Sequence, residues 1–226
     1  MRIQSTLELA TAVLAASVTA CVQPETGSGQ QSDQKTFTFD HAEPGTAPAG
    51  WISDVTGSKQ GTPPRWEVKK VEGRHVLAQL QSGGAGGDFP VCLKRESSFK
   101  DGAVRVDLKP ISGETDQAGG VVFRAQDKDN FYVARANALE DNVSIYCTRN
   151  GKRRTIKYWE NIEVKLGQWH TLEVQAKGFH FKVFLNKQLV GEIEDPEHVF
   201  AEAGMVGVWT KADSVTYFRD VAIATR

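Results

Sequence analysis

Apolar and polar residues trade places one by one in short runs from Lys35 onward. Residues 36–39, 103–108, 143–147, 171–176 and 179–185 all alternate this way. A period of two gives an extended segment one apolar and one polar face, which predicts strands. Turn chemistry separates the runs. Asn150-Gly151 is the strongest hairpin signal, and Lys177-Gly178 and Asn186-Lys187 stand where tight turns are needed. Pro63-Pro64 and the glycine-rich residues 83–87 read as loops. No window beyond the N-terminus keeps an i, i+3, i+4 apolar stripe over three turns, although residues 131–141 have room for one short helical turn. About a dozen strands in about 190 residues predict an all-β, two-sheet antiparallel sandwich, because so many strands rarely stay in one open sheet. No composition break or internal repeat divides residues 35–226, which are expected to form one domain.

The first residues break the pattern. Residues 1–20 combine Arg2 with an apolar stretch from Leu9 to Ala20, too short to span a bilayer and suited to a signal peptide. Val18-Thr19-Ala20-Cys21 resembles a bacterial lipobox, in which small residues precede a cysteine that becomes acylated. The alternative is a plain signal peptide beside an unmodified cysteine. Residues 21–34 are polar and rich in Gly, Ser and Gln, as in a flexible tether. The expected address is the cell envelope, periplasmic or surface-facing, with the membrane touched only through a lipid on Cys21.

Composition removes several functions. Lys and Arg number 27 against 28 Asp and Glu, a net charge of -1, so no overall field would hold a nucleic acid. Two Met and three Cys provide neither a Met-rich groove nor a disulfide framework. The five His show no metal-ligand spacing, and Asp127-Lys128-Asp129-Asn130 lacks the glycine and distal glutamate of a calcium loop. No phosphate loop and no Gly-x-Ser-x-Gly elbow is present. No cofactor is expected. Cys92 and Cys147 both lie in strand-like runs, and two readings stand for them: a disulfide, or two separate buried thiols.

Several segments together resemble the concanavalin A-like jelly-roll superfamily, and more narrowly the 3-keto-disaccharide hydrolase domain family with its laminin-G-like relatives. They are Phe39-Asp40 with Gly45 to Trp51, Trp66-Glu67-Val68, the stretch 113–142 containing Gly119-Gly120-Val121-Val122-Phe123-Arg124, Gly167-Gln168-Trp169-His170, and 204–218. The resemblance covers nearly all of the chain after the tether. It implies two curved sheets, a groove on the outer face of one of them, and a carbohydrate ligand for a monomeric protein. It also implies a structural calcium as a minor alternative, as jelly rolls hold one through loops. Fold does not decide activity, so three functions stay open: a carbohydrate-recognising domain, a hydrolase acting on 3-keto or related glycosides, and a protein-interaction module.

Candidate chemistry concentrates in residues 124–142. Phe131, Val133, Arg135 and Asn137 share one face of a strand, while Asn130, Tyr132, Ala134 and Ala136 share the other. An Arg and an Asn that prolong an apolar row are costly to bury unpaired, so they are expected at a rim or groove. The alternative is that 126–130 and 140–142 are polar only because loops are solvated. As a binder, the domain would use Tyr132, Arg135, Asn137, Trp209 and Lys211, with Glu140 and Asp141 beside them. As an enzyme, Glu140 or Asp141 would take the proton that a 3-keto group acidifies, with Arg124 or Arg135 steadying the enolate oxygen. Trp209 alternates with Val206 and Val208 and so faces away from them. Tyr158 and Trp159 are weaker aromatic candidates. Glu192, Glu194 and Glu197 match the carboxylate spacing of family 16 glycoside hydrolases, but the middle Asp is replaced and Pro196 interrupts the strand. A retaining pair must stand about 5–5.5 Å apart on one face, and the match reads as coincidence.

Overall fold

The computed structural model describes residues 33–57, 64–80 and 87–225. The expected signal peptide, the cysteine expected to be lipidated (Cys21), most of the expected tether, Pro63 and glycine-rich residues 83–86 lie outside the described residues. Fifteen strands account for the architecture, with no helix among the described residues. In chain order they are β1 (Asp33–Phe37), β2 (Trp51–Gly57), β3 (Trp66–Val71), β4 (Arg74–Gln79), β5 (Asp88–Lys94), β6 (Gly102–Ser112), β7 (Ala118–Asp127) and β8 (Asn130–Asn137). There follow β9 (Asn142–Arg149), β10 (Lys152–Glu160), β11 (His170–Lys177), β12 (His180–Leu185), β13 (Gln188–Glu194), β14 (Met205–Thr210) and β15 (Val215–Thr225). β1 begins at Asp33, so two residues read as tether are already paired with the final strand.

Both sheets are antiparallel. The first runs β13-β12-β11-β6-β15-β4-β3, with β1 also on β15; the second runs β10-β9-β8-β7-β14-β5-β2. Together they form a jelly-roll sandwich. The expected turns close its hairpins. Asn150 and Gly151 both have positive φ, as do Asn186 and Lys187, the geometry that matches strand twist across a two-residue loop. Residues 138–141, where a helical turn had room, form the link between β8 and β9.

Alternate residues of the two sheets meet between them. Val104, Val106 and Leu108 of β6 and Phe181 of β12 pack with Val121 and Phe123 of β7, Ala134 of β8 and Val208 of β14. Each buried apolar side chain of this size contributes about 1.5–3 kcal/mol. At one edge, Trp159 of β10 closes on Gly191 of β13, where an added Cβ would lie 2.4 Å from the indole nitrogen. Trp159 is therefore a seam between the sheets and not a ligand platform.

The alternation expected to leave one wet face holds only in the first sheet. The second sheet carries another apolar cluster on its outer face, where Phe89, Val91, Leu93, Val122, Phe131, Val133, Tyr146 and Trp209 are buried. Its strands β5, β8 and β9 are consequently buried on both faces along most of their length.

Cys92 and Cys147 are separate buried thiols. They sit on β5 and β9, four strand positions apart in one sheet, or about 19 Å, and a disulfide requires Cα atoms within about 7 Å. The bridging alternative is excluded by register. Cys92 instead lies 3.6 Å from the Ser53 hydroxyl, and burial pushes its thiol up to about 12.

Candidate functional site

The outer face of the second sheet is ordered in cross-strand rows. One row passes from Tyr158 through Ser144, Arg135, Gly120 and Trp209 to Val91. The next carries Asn142, Asn137 and Ala118. Gly120 must stay bare between Arg135 and Trp209, because an added Cβ would fall 2.5 Å from the Ala134 carbonyl oxygen.

Arg135 is the hub of the polar end. Its side chain is 2% exposed. Nη2 donates to Glu140 Oε2 at 3.1 Å, to Ser144 Oγ at 3.4 Å and to the Asn142 side-chain oxygen. Nη1 lies 3.9 Å from Asp116 Oδ1, and Nε is buried with no partner. Asp116 is fully buried, accepts from Asn137 Nδ2 at 2.8 Å and pairs with Lys211. Burial pushes the Asp116 carboxyl up, against the pull of Lys211 and Arg135. The loop bearing Asp116 is itself fixed by Asp213, whose carboxylate accepts the backbone N–H groups of Glu114, Thr115 and Asp116.

Glu140 stands in front of this frame with 38% of its side chain exposed. Partial burial pushes its carboxyl up. Asn142, the Arg135 charge and the Tyr158 hydroxyl outweigh that and hold it at about 2. All three donors use Oε2, at 2.8 Å from Asn142, 3.0 Å from Tyr158 and 3.1 Å from Arg135, so Oε1 remains for an incoming hydroxyl. The ordinary value for this group is 4.5. Its stabilising contribution is thus complete above about pH 4.5 and drains as the pH falls toward 2. A carbon-detected NMR titration of the Glu140 carboxyl should find no midpoint above pH 3; a midpoint near 4.5 would contradict the assigned network.

The structure thus brings together Arg135, Asn137, Glu140 and Lys211 of the expected residues, and places Trp209 two strands from Arg135 in the same row. It separates the others. Tyr132 points between the sheets, stacked on Phe123 at 5.4 Å, with its hydroxyl on Asp195 at 2.6 Å, because its parity is opposite to that of Arg135. Arg124 is a brace. Its guanidinium commits four of its five N–H groups to the carbonyls of Lys100, Phe200 and Gly178 and to Asp101, and its side chain is 1% exposed, out of reach of an enolate. Asp141 accepts the Val164 amide at 3.0 Å and anchors the chain after β10. Glu192, Glu194 and Glu197 occupy the edge of the first sheet and the loop beyond, each beside a different cation or histidine: Lys182, His198 and Arg154. Trp209 faces the expected side but is fully buried, stacked on Phe89 at 5.5 Å.

Asp116, Ser144 and Arg153 are site members that the sequence did not single out, while Tyr158, a weaker aromatic candidate, and Asn142, at the end of the candidate stretch, do belong to the site. The Arg153 Cζ lies 4.5 Å from the Phe89 ring and 4.4 Å from the Tyr146 ring. Those rings stand on strands four positions apart, so one guanidinium can touch both only where the sheet is strongly bowed. Among the described residues no group of three or more His, Cys, Asp or Glu side chains is arranged to hold a metal ion.

A family model described as the 3-keto-alpha-glucoside-1,2-lyase-like domain matches residues 37–224. The chain is 27% identical over 185 residues to a levanase of Bacillus subtilis (strain 168), a match covering 78% of this chain and 24% of the levanase. It therefore spans about a quarter of that relative's length. Among solved structures it superposes on the carbohydrate binding module CBM66 from Bacillus subtilis with a TM-score of 0.59 and 23% identity, covering 77% of this chain and 95% of the module. A Bacillus licheniformis beta-glucanase gives a TM-score of 0.56 at 12% identity, covering 88% and 99%. These likenesses establish the jelly-roll fold.

Proposed function

Because the chain belongs to the 3-keto-alpha-glucoside-1,2-lyase-like domain family, we propose that its sandwich domain recognises a carbohydrate at the polar end of the second sheet's outer face. The observation that carries this reading is an exposed front of Glu140 and Tyr158, with the part-buried Lys211 beside them, held by the buried frame of Arg135, Asp116, Asn137 and Asn142. A carboxylate oxygen left free by its neighbours accepts a sugar hydroxyl, Lys211 donates to another, and the Tyr158 ring covers the apolar face of the pyranose or furanose. The names of its relatives agree: one is a levanase and another a carbohydrate binding module.

Glu140 suits binding better than proton transfer, since a carboxylate held at about 2 is a poor base at neutral pH. A second reading, elimination from a 3-keto-glycoside, is favoured by Asp116, whose buried carboxyl is pushed up beside Lys211. It stands second because Asp116 has no exposed surface from which to reach a C–H bond.

A glycan array followed by calorimetry on the strongest hit is the test. Binding without consumption of a 3-keto-glucoside supports recognition; turnover would replace it with the second reading, and silence in both assays would overturn both. The same proposal puts the protein at the cell envelope through a lipid on Cys21. Intact-mass analysis of the native protein should find a chain that starts at acylated Cys21, and an unprocessed Met1 would refute the anchor.

A further inference from the structure

Among the described residues, Arg153 is the one arginine at this face that finds no counter-charge. Arg135, next to it, engages Glu140, and Arg154, its chain neighbour, pairs with Asp195 and Glu197. The Arg153 guanidinium makes no hydrogen bond or ion pair among the described residues, and its Nη1 is buried and unpartnered. It touches rings alone: Tyr146, Phe89 and, at 5.8 Å, Trp209. Burial pulls its pKa down, as expected for a cation taken from water without a partner. Cation–π contact offsets only part of that cost.

Charge at the face is out of balance in the same sense. Arg135, Arg153 and Lys211 face Asp116 and Glu140, whose carboxylates are already committed to Arg135 and Lys211. Among the described residues, the buried polar atoms left over at this face are Arg153 Nη1, Arg135 Nε, Trp209 Nε1 and the hydroxyl of Thr148, the cross-strand neighbour of Arg153. The hydroxyl can donate or accept, but the three nitrogens can only donate, so what they lack is an acceptor. The two arginines are joined by one ring, since Tyr146 lies 4.4 Å from the Arg153 Cζ and 5.8 Å from the Arg135 Cζ. A planar fork flanked by aromatic rings matches a two-oxygen anion.

We propose that the glycan recognised at this face carries an anionic substituent, a carboxylate or a sulfate ester, which pairs with Arg153. This rests on the carbohydrate reading above and specifies its ligand. Arg153 leads from edge strand β10, just past the Asn150-Gly151 turn, where the sheet ends and a charged group can enter from solvent.

The test is an array that prints neutral oligosaccharides beside uronate-bearing and sulfated ones, probed with the full chain at two salt concentrations. At least a tenfold preference for the anionic glycans, weakening at high salt, supports the proposal, and the stronger of the two anionic sets identifies the substituent. The Arg153→Gln variant should then bind anionic and neutral glycans within threefold of each other, while Arg153→Lys keeps part of the preference. Equal or better binding of neutral glycans by the unaltered chain overturns the proposal and leaves the carbohydrate reading standing. No binding to any glycan overturns both. The comparison between glycans needs no variant, so a folding defect in Arg153→Gln would not blur it.

Discussion

Replacing Glu140 with glutamine should lower glycan affinity roughly 10- to 100-fold while the sandwich stays folded. The amide keeps a carbonyl oxygen for Arg135, Asn142 and Tyr158 but removes the charge and turns the outward-facing acceptor into an NH2 donor. A hydrogen bond to an ionised group contributes about 1.5–3 kcal/mol, and each 1.4 kcal/mol is about tenfold in affinity. Because Glu140 lies on the link between β8 and β9 and is more than a third exposed, the fold should survive, with a modest stability loss as the buried Arg135 keeps Asp116 as its counter-charge. Calorimetric titration with the best array ligand, beside thermal unfolding of both proteins, separates the two effects. Unchanged affinity in a folded variant would remove Glu140 from the site.

Asp195→Ala should be the most damaging single change to the fold, costing about 3–5 kcal/mol, the scale seen when one member of a buried ion pair is deleted. Asp195 follows the last residue of β13 and has no exposed side-chain surface. Its carboxylate accepts from the Tyr132 hydroxyl at 2.6 Å and from Arg154 Nη2 at 2.6 Å, so one group of the first sheet ties β8 and β10 of the second. Without it the buried Tyr132 phenol loses its acceptor, and the part-exposed Arg154 guanidinium is left with Glu197 alone. Burial pushes the Asp195 carboxyl up, but Tyr132 and Arg154 pull it below its ordinary 3.8. Its contribution is therefore complete above about pH 4 and lost only in stronger acid. Urea denaturation at pH 7 measures the loss, and a change below about 1 kcal/mol would contradict the stitch.

Much of the architecture was legible because a period of two survives in the strands that have one solvent-facing side. β11 and β12 could be outlined almost residue by residue, the first half of β6 was marked, and Asn150-Gly151 marked its hairpin. β5 and β8 obscured the outer face, since strands buried on both sides lose polar alternation, and the alternation of 143–147 hid that both faces of β9 are buried. Parity still carried information there. Arg135 and Asn137 share the face of Phe131 and Val133, and Tyr132 was always on the other. Choosing Tyr132 as a groove residue gave chemistry more weight than parity.

The site itself was legible in part. Arg135, Asn137 and Glu140 lie within six positions, so local sequence could group them. Asp116 and Lys211 are 95 residues apart, and only the pairing of β7 with β14 brings their loops together. Arg124 looked functional by charge, yet its partners are three carbonyls and a carboxylate contributed by distant loops, which no spacing rule reports. Arg153 had a usable signal: it pairs with Thr148 across β9 and shares the outer face with Tyr146. What parity could not convey was that the sheet bows enough to lay that guanidinium against Phe89 as well.

A crystal of the protein soaked with its strongest array ligand addresses the carbohydrate proposal most directly. The expected density is a sugar ring with a hydroxyl within hydrogen-bond distance of Glu140 Oε1 and a second oxygen near Lys211 Nζ, alongside the Tyr158 ring. A sugar seated on the outer face of the first sheet, or on loops remote from Arg135, would contradict it.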